Sequence, residues 1–532
     1  MIDVLHLIQI GGAILLNERI KNQEVMKKVV SAEVAANLVK DGMVIGVSGF
    51  SPSGYPKAVP LAIAQRVKDT GEKMKLTLYT GASVGAEIDG AWSEVGIISK
   101  RMPYQTNSGL RNNINKGLTE YIDMNLSVMP QFVNYGFLPK VNIAIVEALG
   151  ITEEGNIIPT TAVGNTATYV ANADKIIIEV NENQPLSLEG IADIYTLENP
   201  PFRKPIPIIH TGDRIGTTYI PCKLEKIVAV VMTNMPDKTR PLKAIDETSK
   251  AISKNLIKFL ENEIKEKRLP ENLLPIQSGV GSVANAVLAG LCESNLKNLT
   301  CYTEVIQDSM LDLIRCGKAK MVSSTALCPS PDGMEAFRRD LDSLKDKIIL
   351  RPQEISNNPE VIRRLGVIAI NTALEVDIYG NVNSTHVMGT KMMNGIGGSG
   401  DFAENASLTI FTTESIAKKG NISTIVPIVS HVDHTEHNVM VIVTEQGTAD
   451  LRGKSPKERA LVIINNCAHP DYRPQLLEYL EKAQECSGKH TPHVLCDALS
   501  WHIRFMETGT MKKKFTKFAF VNDKNNDKLI VS

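Results

Sequence analysis

Short apolar runs alternate with stretches of helical pattern along almost the whole chain, and this alternation constrains the fold more than any other feature. The runs lie at residues 43–47, 76–80, 141–148, 175–180, 226–232, 365–373, 408–412, 423–429 and 439–444. Strands covered on both faces read as continuous apolar runs, and parallel strands need helical crossovers between them. The pattern therefore predicts an α/β protein with largely parallel, doubly covered sheets.

The chain is long enough for more than one core, with 532 residues of which 43% are hydrophobic. A proline-rich stretch at 199–207 and a polar segment at 234–241 interrupt the pattern near its middle. Proline clusters of this kind mark linkers, so a boundary is expected near residue 235. The predicted parts are a first domain at 1–235, a second at 236–510 and a surface tail at 511–532.

One strand-like hexapeptide occurs twice, and only the second copy ends in a charge. Leu76-Thr-Leu-Tyr-Thr-Gly81 is repeated as Leu299-Thr-Cys-Tyr-Thr-Glu304. Each copy follows a glycine-bearing turn and a helical stretch, which lie at 44–68 in the first half and at 275–292 in the second. Chance similarity of apolar strands is the alternative. The repeat favours two related halves, of which only the second presents a carboxylate at the end of this strand. A helix-like stretch at 305–315 follows Glu304 at once, so a helix is expected there.

The overall charge excludes partners that need a strongly basic surface. The formal net charge is −1, so no global field attracts nucleic acid or an anionic membrane. Any anionic ligand must therefore be bound by a local site.

Compartment and redox state are expected to be those of the cytoplasm. The eight cysteines form no C-x-x-C pair, which favours reduced thiols. The apolar segment 4–16 is too short to span a bilayer. Arg19 and Lys21 leave a cleaved organellar presequence, and hence a matrix location, as an alternative, whereas Glu18 and Glu24 argue against it.

A glycine-rich loop, Asn394-Gly-Ile-Gly-Gly-Ser-Gly-Asp-Phe402, is the densest local motif. Glycines allow backbone N–H groups to approach a ligand closely and to point at an anion. The loop formally matches G-x-G-x-x-G, but the preceding segment 386–391 is not a buried strand, so a dinucleotide site is not indicated. A tight turn is the structural alternative.

A second glycine turn, Gln277-Ser-Gly-Val-Gly-Ser282, is expected between a strand and a helix. Ligands of α/β sheets bind at this edge, beyond the carboxyl ends of the strands. Glu304 should lie at the end of the neighbouring strand. Backbone donors beside a carboxylate suit acyl transfer, because the carboxylate attacks a thioester and the N–H groups stabilise the oxyanion.

Three other patterns are weaker candidates for a functional site. The histidine motif, His431-Val-Asp-His-Thr-Glu-His437, lacks the helical spacing of a zinc motif and is interpreted as a hydrogen-bonded loop, so no metal site is expected. Cys467 and His469 are too close in sequence to form a nucleophile pair readily. Glu445 is a second strand-end carboxylate, and a salt bridge or cap explains it as well as a site does.

Six segments together resemble the acetyl-CoA hydrolase/transferase family. The segments lie at 277–281, 302–308, 356–366, 375–386, 395–402 and 467–472. The similarity extends from about residue 25 to about residue 510. Within the family, the chain is most similar to the bacterial members that pass CoA from succinyl-CoA to acetate or another short carboxylate.

The resemblance implies two similar α/β domains with the active site in the cleft between them. It implies that Glu304 is the nucleophile that becomes a glutamyl-CoA thioester, that Gly398 and Val280 supply oxyanion-hole N–H groups, and that Asn357 orients the glutamate. The implied CoA contacts are Gln277, Ser278, Gly279, Val280, Gly281, Asn394, Gly398 and Lys418. Ser282 departs from the asparagine of many relatives, which affects the CoA edge.

The implied activity is CoA transfer from an acyl-CoA to a short carboxylate. CoA would then be a substrate rather than a permanently bound cofactor, and a homodimer is expected from the resemblance. Two alternatives remain open at this point, an acetyl-CoA hydrolase on the same scaffold and a CoA-binding protein without catalysis.

Overall fold

The computed structural model describes residues 18–241 and 244–513. The apolar segment 4–16 and residues 514–532 of the predicted surface tail lie outside the described residues. Within the described ranges, no helix is both long and apolar enough to cross a membrane. All eight cysteines are free thiols in the structure.

In the described part of the first half there are nine strands, seven of which form one sheet. The strands are β1 Val44–Val47, β2 Leu76–Tyr79, β3 Ile98–Met102, β4 Glu120–Tyr121, β5 Ile143–Ala148, β6 Gly150–Ile151, β7 Ile157–Ile158, β8 Lys175–Asn181 and β9 Ile227–Thr233. The α-helices are Gln23–Met26, Ala32–Ala36, Ala58–Thr70, Ala91–Glu94, Ser108–Asn115, Val128–Asn134 and Thr166–Asn172. Single turns of other helix types lie at Ala86–Gly90, Leu186–Leu188 and Leu224–Lys226.

The second half repeats this plan and adds short strands and C-terminal helices. The strands are β10 Ile276–Ser278, β11 Leu299–Tyr302, β12 Val305–Ile306, β13 Ala319–Ser324, β14 Ala326–Leu327, β15 Ile348–Leu350, β16 Ile368–Thr372, β17 Glu375–Asp377, β18 Val382–Asn383, β19 His386–Val387, β20 Lys391–Met392, β21 Leu408–Thr412, β22 Ile416–Ala417, β23 Ile422–Ser423, β24 Ile425–Val426, β25 Val441–Thr444 and β26 Gly447–Asp450. The α-helices are Glu247–Lys265, Ser282–Glu293, Asp308–Arg315, Pro331–Leu344, Gln353–Ser356, Pro359–Leu365, Ser399–Asn405, Pro456–Cys467, Arg473–Cys486, Leu495–Ala498 and Ser500–Thr508. Short 3₁₀ turns lie at Lys345–Lys347 and Lys418–Gly420.

The two large sheets have the same strand order, which confirms the predicted α/β class. The first sheet runs β4-β3-β2-β1-β5-β8-β9, and the second runs β15-β13-β11-β10-β16-β21-β25-β26. Every pairing within them is parallel except the one between β25 and β26. The two sheets match strand for strand, and β26 is the addition at the edge of the second.

The repeated hexapeptide occupies equivalent strands and has the same irregularity in both halves. The register between β2 and β3 shifts between Leu76 and Thr77. The register between β11 and β13 shifts between Leu299 and Thr300, at the same point of the repeat. A β-bulge is a specific local feature, so its recurrence supports duplication over chance similarity.

Two local expectations were wrong. The apolar run at 423–429 adds no strand to a large sheet, because only residues 422–423 and 425–426 are extended, as β23 and β24. The helix after Glu304 begins at Asp308, since Val305 and Ile306 pair with β14 as β12. Tertiary pairing overrides the apolar period in both segments.

The halves share one continuous apolar core and are also joined by backbone hydrogen bonds. The largest apolar cluster contains residues of both sheets. Leu327 N–H donates to Thr161 O at 2.8 Å, and Val163 N–H donates to Thr325 O at 2.9 Å. The two halves are therefore held together at the base of the cleft between them.

The segment between the two sheets packs on the first half. The first sheet ends at Thr233 and the second begins at Ile276, so the predicted boundary near residue 235 falls between them. Asp237, which that boundary assigns to the second domain, accepts hydrogen bonds from Thr161 Oγ1 at 2.6 Å and from Gly54 N–H at 3.2 Å. The exact boundary stays a prediction.

Candidate active site

Glu304 lies directly after β11 and its side chain is almost fully enclosed. It is 8% exposed, and its Oε2 accepts hydrogen bonds from Gln277 Nε2 at 3.2 Å and from Thr303 Oγ1 at 3.4 Å. Burial raises the pKa of Glu304 to about 7, although these hydrogen bonds favour the ionised form and lower the pKa. The carboxylate is thus poorly solvated and ionises close to neutral pH.

The amide of Gln277, on β10, is held in one orientation. Its Oε1 accepts from Ile370 N–H and from Asn371 Nδ2, both at 3.2 Å, while its Nε2 also donates to Asn371 Oδ1 at 3.1 Å. These partners leave the amide N–H pointing at Glu304. The neighbouring strands β10 and β16 therefore fix the donor that orients the carboxylate.

Gly398 touches the Glu304 carboxylate. A Cβ atom built on Gly398 would lie 1.4 Å from Glu304 Oε1, so no other residue fits with the carboxylate in this position. Gly398 belongs to the glycine-rich loop and is the N-cap residue of the helix Ser399–Asn405. The loop thereby brings backbone within reach of the nucleophile candidate.

The first half holds the glycine-rich loop from the opposite side. Ile396 N–H donates to both carboxylate oxygens of Asp123, at 3.0 and 2.9 Å. Burial raises the pKa of Asp123 to about 7. A Cβ atom on Gly395 would lie 2.6 Å from Asp123 Oδ1 and 2.4 Å from Tyr121 Oη, so glycine is also required there.

Both halves line a single cavity of about 560 Å³ beside Glu304. Its lining includes five stretches of the first half and of the segment packed on it, together with the two glycine turns of the second half. The first half contributes Phe50, Ser51, Pro52, Ala82, Ser83, Tyr104, Thr106, Leu126, Arg240 and Pro241. The second contributes Ser278–Val283, Asn285, Glu304, Val305, Gln307, Asp308, Cys328, Ser330, Asn371, Thr372, Ser384 and Asn394–Ser399.

Most of the predicted site residues meet at this cavity. Those in its lining are Ser278, Gly279, Val280, Gly281, Asn394, Gly398 and Glu304. Gln277 lies behind them, fully buried. Asn394 donates to Tyr104 Oη at 3.2 Å, whereas its Oδ1 is buried and accepts no hydrogen bond from the described residues.

Asn357 and Lys418 are not in the lining. The Asn357 amide donates to Asp401 Oδ2 at 3.4 Å and accepts from Ser356 Oγ at 2.8 Å, so its hydrogen bonds do not reach Glu304. Asp401 is influenced by Glu304, since burial and the Glu304 charge both raise the pKa of Asp401 to about 7. Lys418 is exposed on a 3₁₀ turn. The roles of Asn357 and Lys418 stay predictions.

Sequence reasoning missed the first-half residues of the cavity, of which Arg240 is the most informative. Arg240 Nη2 donates to Thr106 Oγ1 at 3.0 Å, and its side chain is otherwise exposed. The segment carrying Arg240 is anchored by Asp237, whose Oδ1 pairs with the buried Lys57 Nζ at 2.9 Å. The only sequence signal was a single arginine in the polar segment 234–241.

The weaker sequence candidates have structural explanations. Among the described residues no group of histidine, cysteine and acidic side chains could hold a metal ion. Glu445 accepts from Ser415 N–H at 2.8 Å and does not line the cavity. Cys467 is fully buried and does not line the cavity, and burial raises the pKa of its thiol to about 12.

Two family models match the chain. The model described as Acetyl-CoA hydrolase/transferase N-terminal domain matches residues 14–232, and the one described as Acetyl-CoA hydrolase/transferase C-terminal domain matches residues 333–480.

Curated relatives cover nearly the whole chain. A succinyl-CoA:acetate CoA-transferase of Clostridium kluyveri is 66% identical and covers 93% of this chain and 92% of its own. A propanoyl-CoA:succinate CoA transferase of Escherichia coli is 46% identical over 90% of this chain and 98% of its own. An acetyl-CoA hydrolase of Candida albicans is 45% identical over 94% and 98%.

Solved structures agree in fold at low sequence identity. RipA from Yersinia pestis superposes with a TM-score of 0.66 at 21% identity, over 88% of this chain and 98% of its own. A 4-hydroxybutyrate CoA-transferase from Porphyromonas gingivalis gives a TM-score of 0.59 at 20% identity, over 86% and 98%. At this identity the likeness shows the fold alone, which is the predicted pair of α/β domains.

Proposed function

This chain belongs to the acetyl-CoA hydrolase/transferase family, and on that basis we propose that it moves CoA from succinyl-CoA to acetate through a thioester on Glu304. It is an acyl-CoA:carboxylate CoA-transferase. The observation that carries the proposed mechanism is the contact between the Glu304 carboxylate and Gly398, where a Cβ atom would lie 1.4 Å from Oε1. A buried carboxylate against bare backbone suits nucleophilic attack on a thioester.

The proposed reaction proceeds by exchange at the Glu304 carboxylate. The carboxylate oxygen attacks the thioester carbonyl, and the C–S bond breaks to give an acyl-glutamyl anhydride and CoA thiolate. The thiolate attacks the glutamyl carbonyl, which leaves a glutamyl-CoA thioester and the first free carboxylate. The second acid reverses both steps and leaves as the new acyl-CoA, so the thioester free energy is conserved.

Oxyanion stabilisation is assigned to backbone N–H groups of the two glycine turns. Val280 and Gly398 lie on opposite turns that line the same cavity as Glu304. Preorganised N–H donors at a developing oxyanion are worth about 10²–10³ in rate. Gln277 limits the rotation of the carboxylate, which keeps Oε1 on the side of Gly398.

Burial of Glu304 also suits the chemistry. The pKa of about 7 means that the group ionises near neutral pH and that the charged form is weakly solvated. Its negative charge passes to the CoA thiolate when the anhydride forms, which relieves the cost of keeping the charge buried. The nucleophile needs no separate general base.

The thioester must be kept from water if transfer is to exceed hydrolysis. Apolar side chains of both halves line the cavity, among them Phe50, Leu126, Val305 and Ile396. Of the apolar residues that flank the glycine-rich loop, Ile396 is in the lining, whereas Met392 and Phe402 are buried away from it. The water barrier is therefore assigned to both halves rather than to the loop alone.

Arg240 is assigned to the distal carboxylate of the succinyl group. The guanidinium faces the cavity that holds Glu304, and a dicarboxylic acyl chain would otherwise place a charge among apolar side chains. Arginine binds a carboxylate with paired N–H donors.

Replacement of this arginine by glutamine, Arg240→Gln, removes the charged hydrogen bonds to the distal carboxylate. The KM for succinyl-CoA should therefore rise at least about tenfold, with a smaller effect on the KM for acetyl-CoA. Equal effects on both substrates would contradict this role.

A hydrolase is the second candidate because the Candida albicans relative carries that name. The two activities separate in one assay of succinyl-CoA with and without acetate. Transfer predicts equal amounts of acetyl-CoA and succinate and little free CoA. Release of CoA at the same rate in both mixtures would support hydrolysis, and binding without turnover would support the non-catalytic alternative.

The proposed assembly and location follow the family resemblance. We expect a homodimer, a cytoplasmic location and no permanently bound cofactor, because CoA enters and leaves as substrate. Light scattering of the purified full-length chain tests this assembly. A homodimer predicts twice the mass of one chain.

A further inference from the structure

His434, in the histidine motif of residues 431–437, contacts the turn that holds Gly398. Its Nε2 lies 3.1 Å from Ser399 Oγ, and Ser399 follows Gly398 directly in the chain. The ring is 2% exposed and rests against Phe411 with centroids 4.8 Å apart. Its backbone pairs with Val382 in both directions, at 2.8 and 3.1 Å. The imidazole is therefore held at Nε2 and against one ring face, and its backbone is held by the pairing with Val382.

The hydrogen-bond pattern determines which atom carries the proton. Ser399 Oγ lies 2.6 Å from Ile396 O, a shorter contact than the one to His434. Because a serine hydroxyl has one proton, it is donated to Ile396 O and the hydroxyl oxygen accepts from His434 Nε2. Burial lowers the pKa of His434 to about 4, so the ring is neutral near pH 7 and donates from one tautomer.

This chain of hydrogen bonds closes the turn around the glycines. It runs from His434 to Ser399 and on to Ile396, and it encloses Gly397 and Gly398. Gly397 has φ +59°, a conformation that side chains other than glycine rarely adopt. A flexible glycine turn needs such a brace to present one N–H in one direction. Asp123 holds Ile396 N–H from the first half, so the turn is braced from both sides.

We propose that His434 is a positioning residue for the transfer reaction, which through Ser399 fixes the direction of the Gly398 N–H toward the oxyanion formed at Glu304. The inference rests on the function proposed above, since it concerns the same site. His434 does not touch the substrate. Loss of a residue that orients a functional group without touching the substrate typically lowers activity about 10- to 100-fold.

The test measures how fast Glu304 gains CoA in single-turnover mixing with succinyl-CoA, and to what final stoichiometry. The variants are His434→Phe, Ser399→Ala and their combination. Each single change should slow adduct formation about 10- to 100-fold with the final stoichiometry unchanged. The double variant should be no slower than the slower single one, because both remove the same brace.

Two further variants keep the test decisive. His434→Gln retains an N–H donor and should recover part of the rate, and it covers the case in which His434→Phe fails to fold. His437→Gln alters an exposed histidine of the same motif and should react as wild type.

The other outcomes overturn either the positioning role of His434 or the proposed function. Wild-type rate in His434→Phe, additive losses in the double variant, or a reduced stoichiometry at the wild-type rate would each overturn the positioning role. No CoA adduct on Glu304 in the wild-type protein would overturn the proposed function itself.

Discussion

The ends of strands β2 and β11 are equivalent positions in two copies of one fold, yet their surroundings differ. At Gly81 a Cβ atom would lie 2.4 Å from Gly49 O, 3.2 Å from Gln353 Oε1 and 3.4 Å from the Cα of Gly164, so backbone and one side chain fill the position. At Glu304 the side chain extends into the cavity as far as Gly398. One strand end is closed by packing, whereas the other presents the proposed nucleophile.

The scaffold around the two strand ends is otherwise alike. The tyrosine two residues before each end donates to a carbonyl of a following segment, Tyr79 to Pro139 O at 3.1 Å and Tyr302 to Ile355 O at 2.6 Å. The proposed nucleophile thus belongs to one copy of a duplicated fold. The first half contributes the opposite wall of the cavity and the support of the glycine-rich loop.

Removing the charge at Glu304 should abolish the difference between the two strand ends and has the largest expected effect. Glu304→Gln keeps the shape and loses the nucleophile, so kcat for succinyl-CoA:acetate transfer should fall about 10⁴-fold or more. Steady-state assays measure it. Glu293→Gln changes an exposed glutamate of the same half and should retain wild-type kcat. Substantial transfer by the Glu304→Gln variant would contradict the nucleophile role.

Filling the space at Gly398 should be the next most severe change. Gly398→Ala places Cβ against Glu304 Oε1, so the carboxylate or the loop must move, and kcat should fall about 10²-fold or more. Gly488→Ala is the matched control, because nothing lies within 4 Å of a Cβ built there. Near-normal kcat in Gly398→Ala would show that the glycine-rich loop takes no part in the reaction.

Acid pH should reversibly lower the transfer activity that depends on Glu304, at the second strand end. Because burial raises the pKa of Glu304 to about 7, the carboxyl is protonated below that pH and cannot attack. The kcat/KM for acyl-CoA should therefore fall about tenfold per unit below pH 7 and level off above it. Asp401 titrates in the same range and interacts with Glu304, so the midpoint belongs to the pair. A flat profile down to pH 5 would contradict the assignment.

The first strand end should respond in stability rather than in catalysis. Gly81→Ala forces a methyl group against Gly49 O, and overpacking of this kind costs about 1–3 kcal/mol. Thermal unfolding should show a lower Tm, while kcat per folded enzyme stays near wild type. A loss of kcat as large as that of Gly398→Ala would mean that both strand ends serve the reaction.

The sequence was sufficient for the fold class, the duplication and the position of the nucleophile candidate. Apolar runs between helical stretches identify doubly covered parallel strands, and a lone carboxylate after one of them lies at the ligand-binding edge of a sheet. The turn at 277–282 was found for the same reason, since it joins a strand to a helix, whereas the loop at 394–402 was found from its density of glycines.

The remaining parts of the site depend on contacts between distant segments. Arg240 comes from a polar segment without periodicity, and its place at the cavity depends on Asp237 docking on the first half. Asn357 reaches Asp401 rather than Glu304 because of how two helices pack. The partner of His434 lies 35 residues away along the chain, so the brace on the glycine turn has no local signal.

The most direct test of the whole account is the chemical identity of the group on Glu304 during turnover. Wild-type protein would be mixed with succinyl-CoA, quenched in acid and digested, and the peptides analysed by mass spectrometry. The account predicts that the peptide containing Glu304 gains the mass of CoA and that acetate added before the quench removes it. An adduct on another residue, or none at all in protein that catalyses transfer, would contradict it.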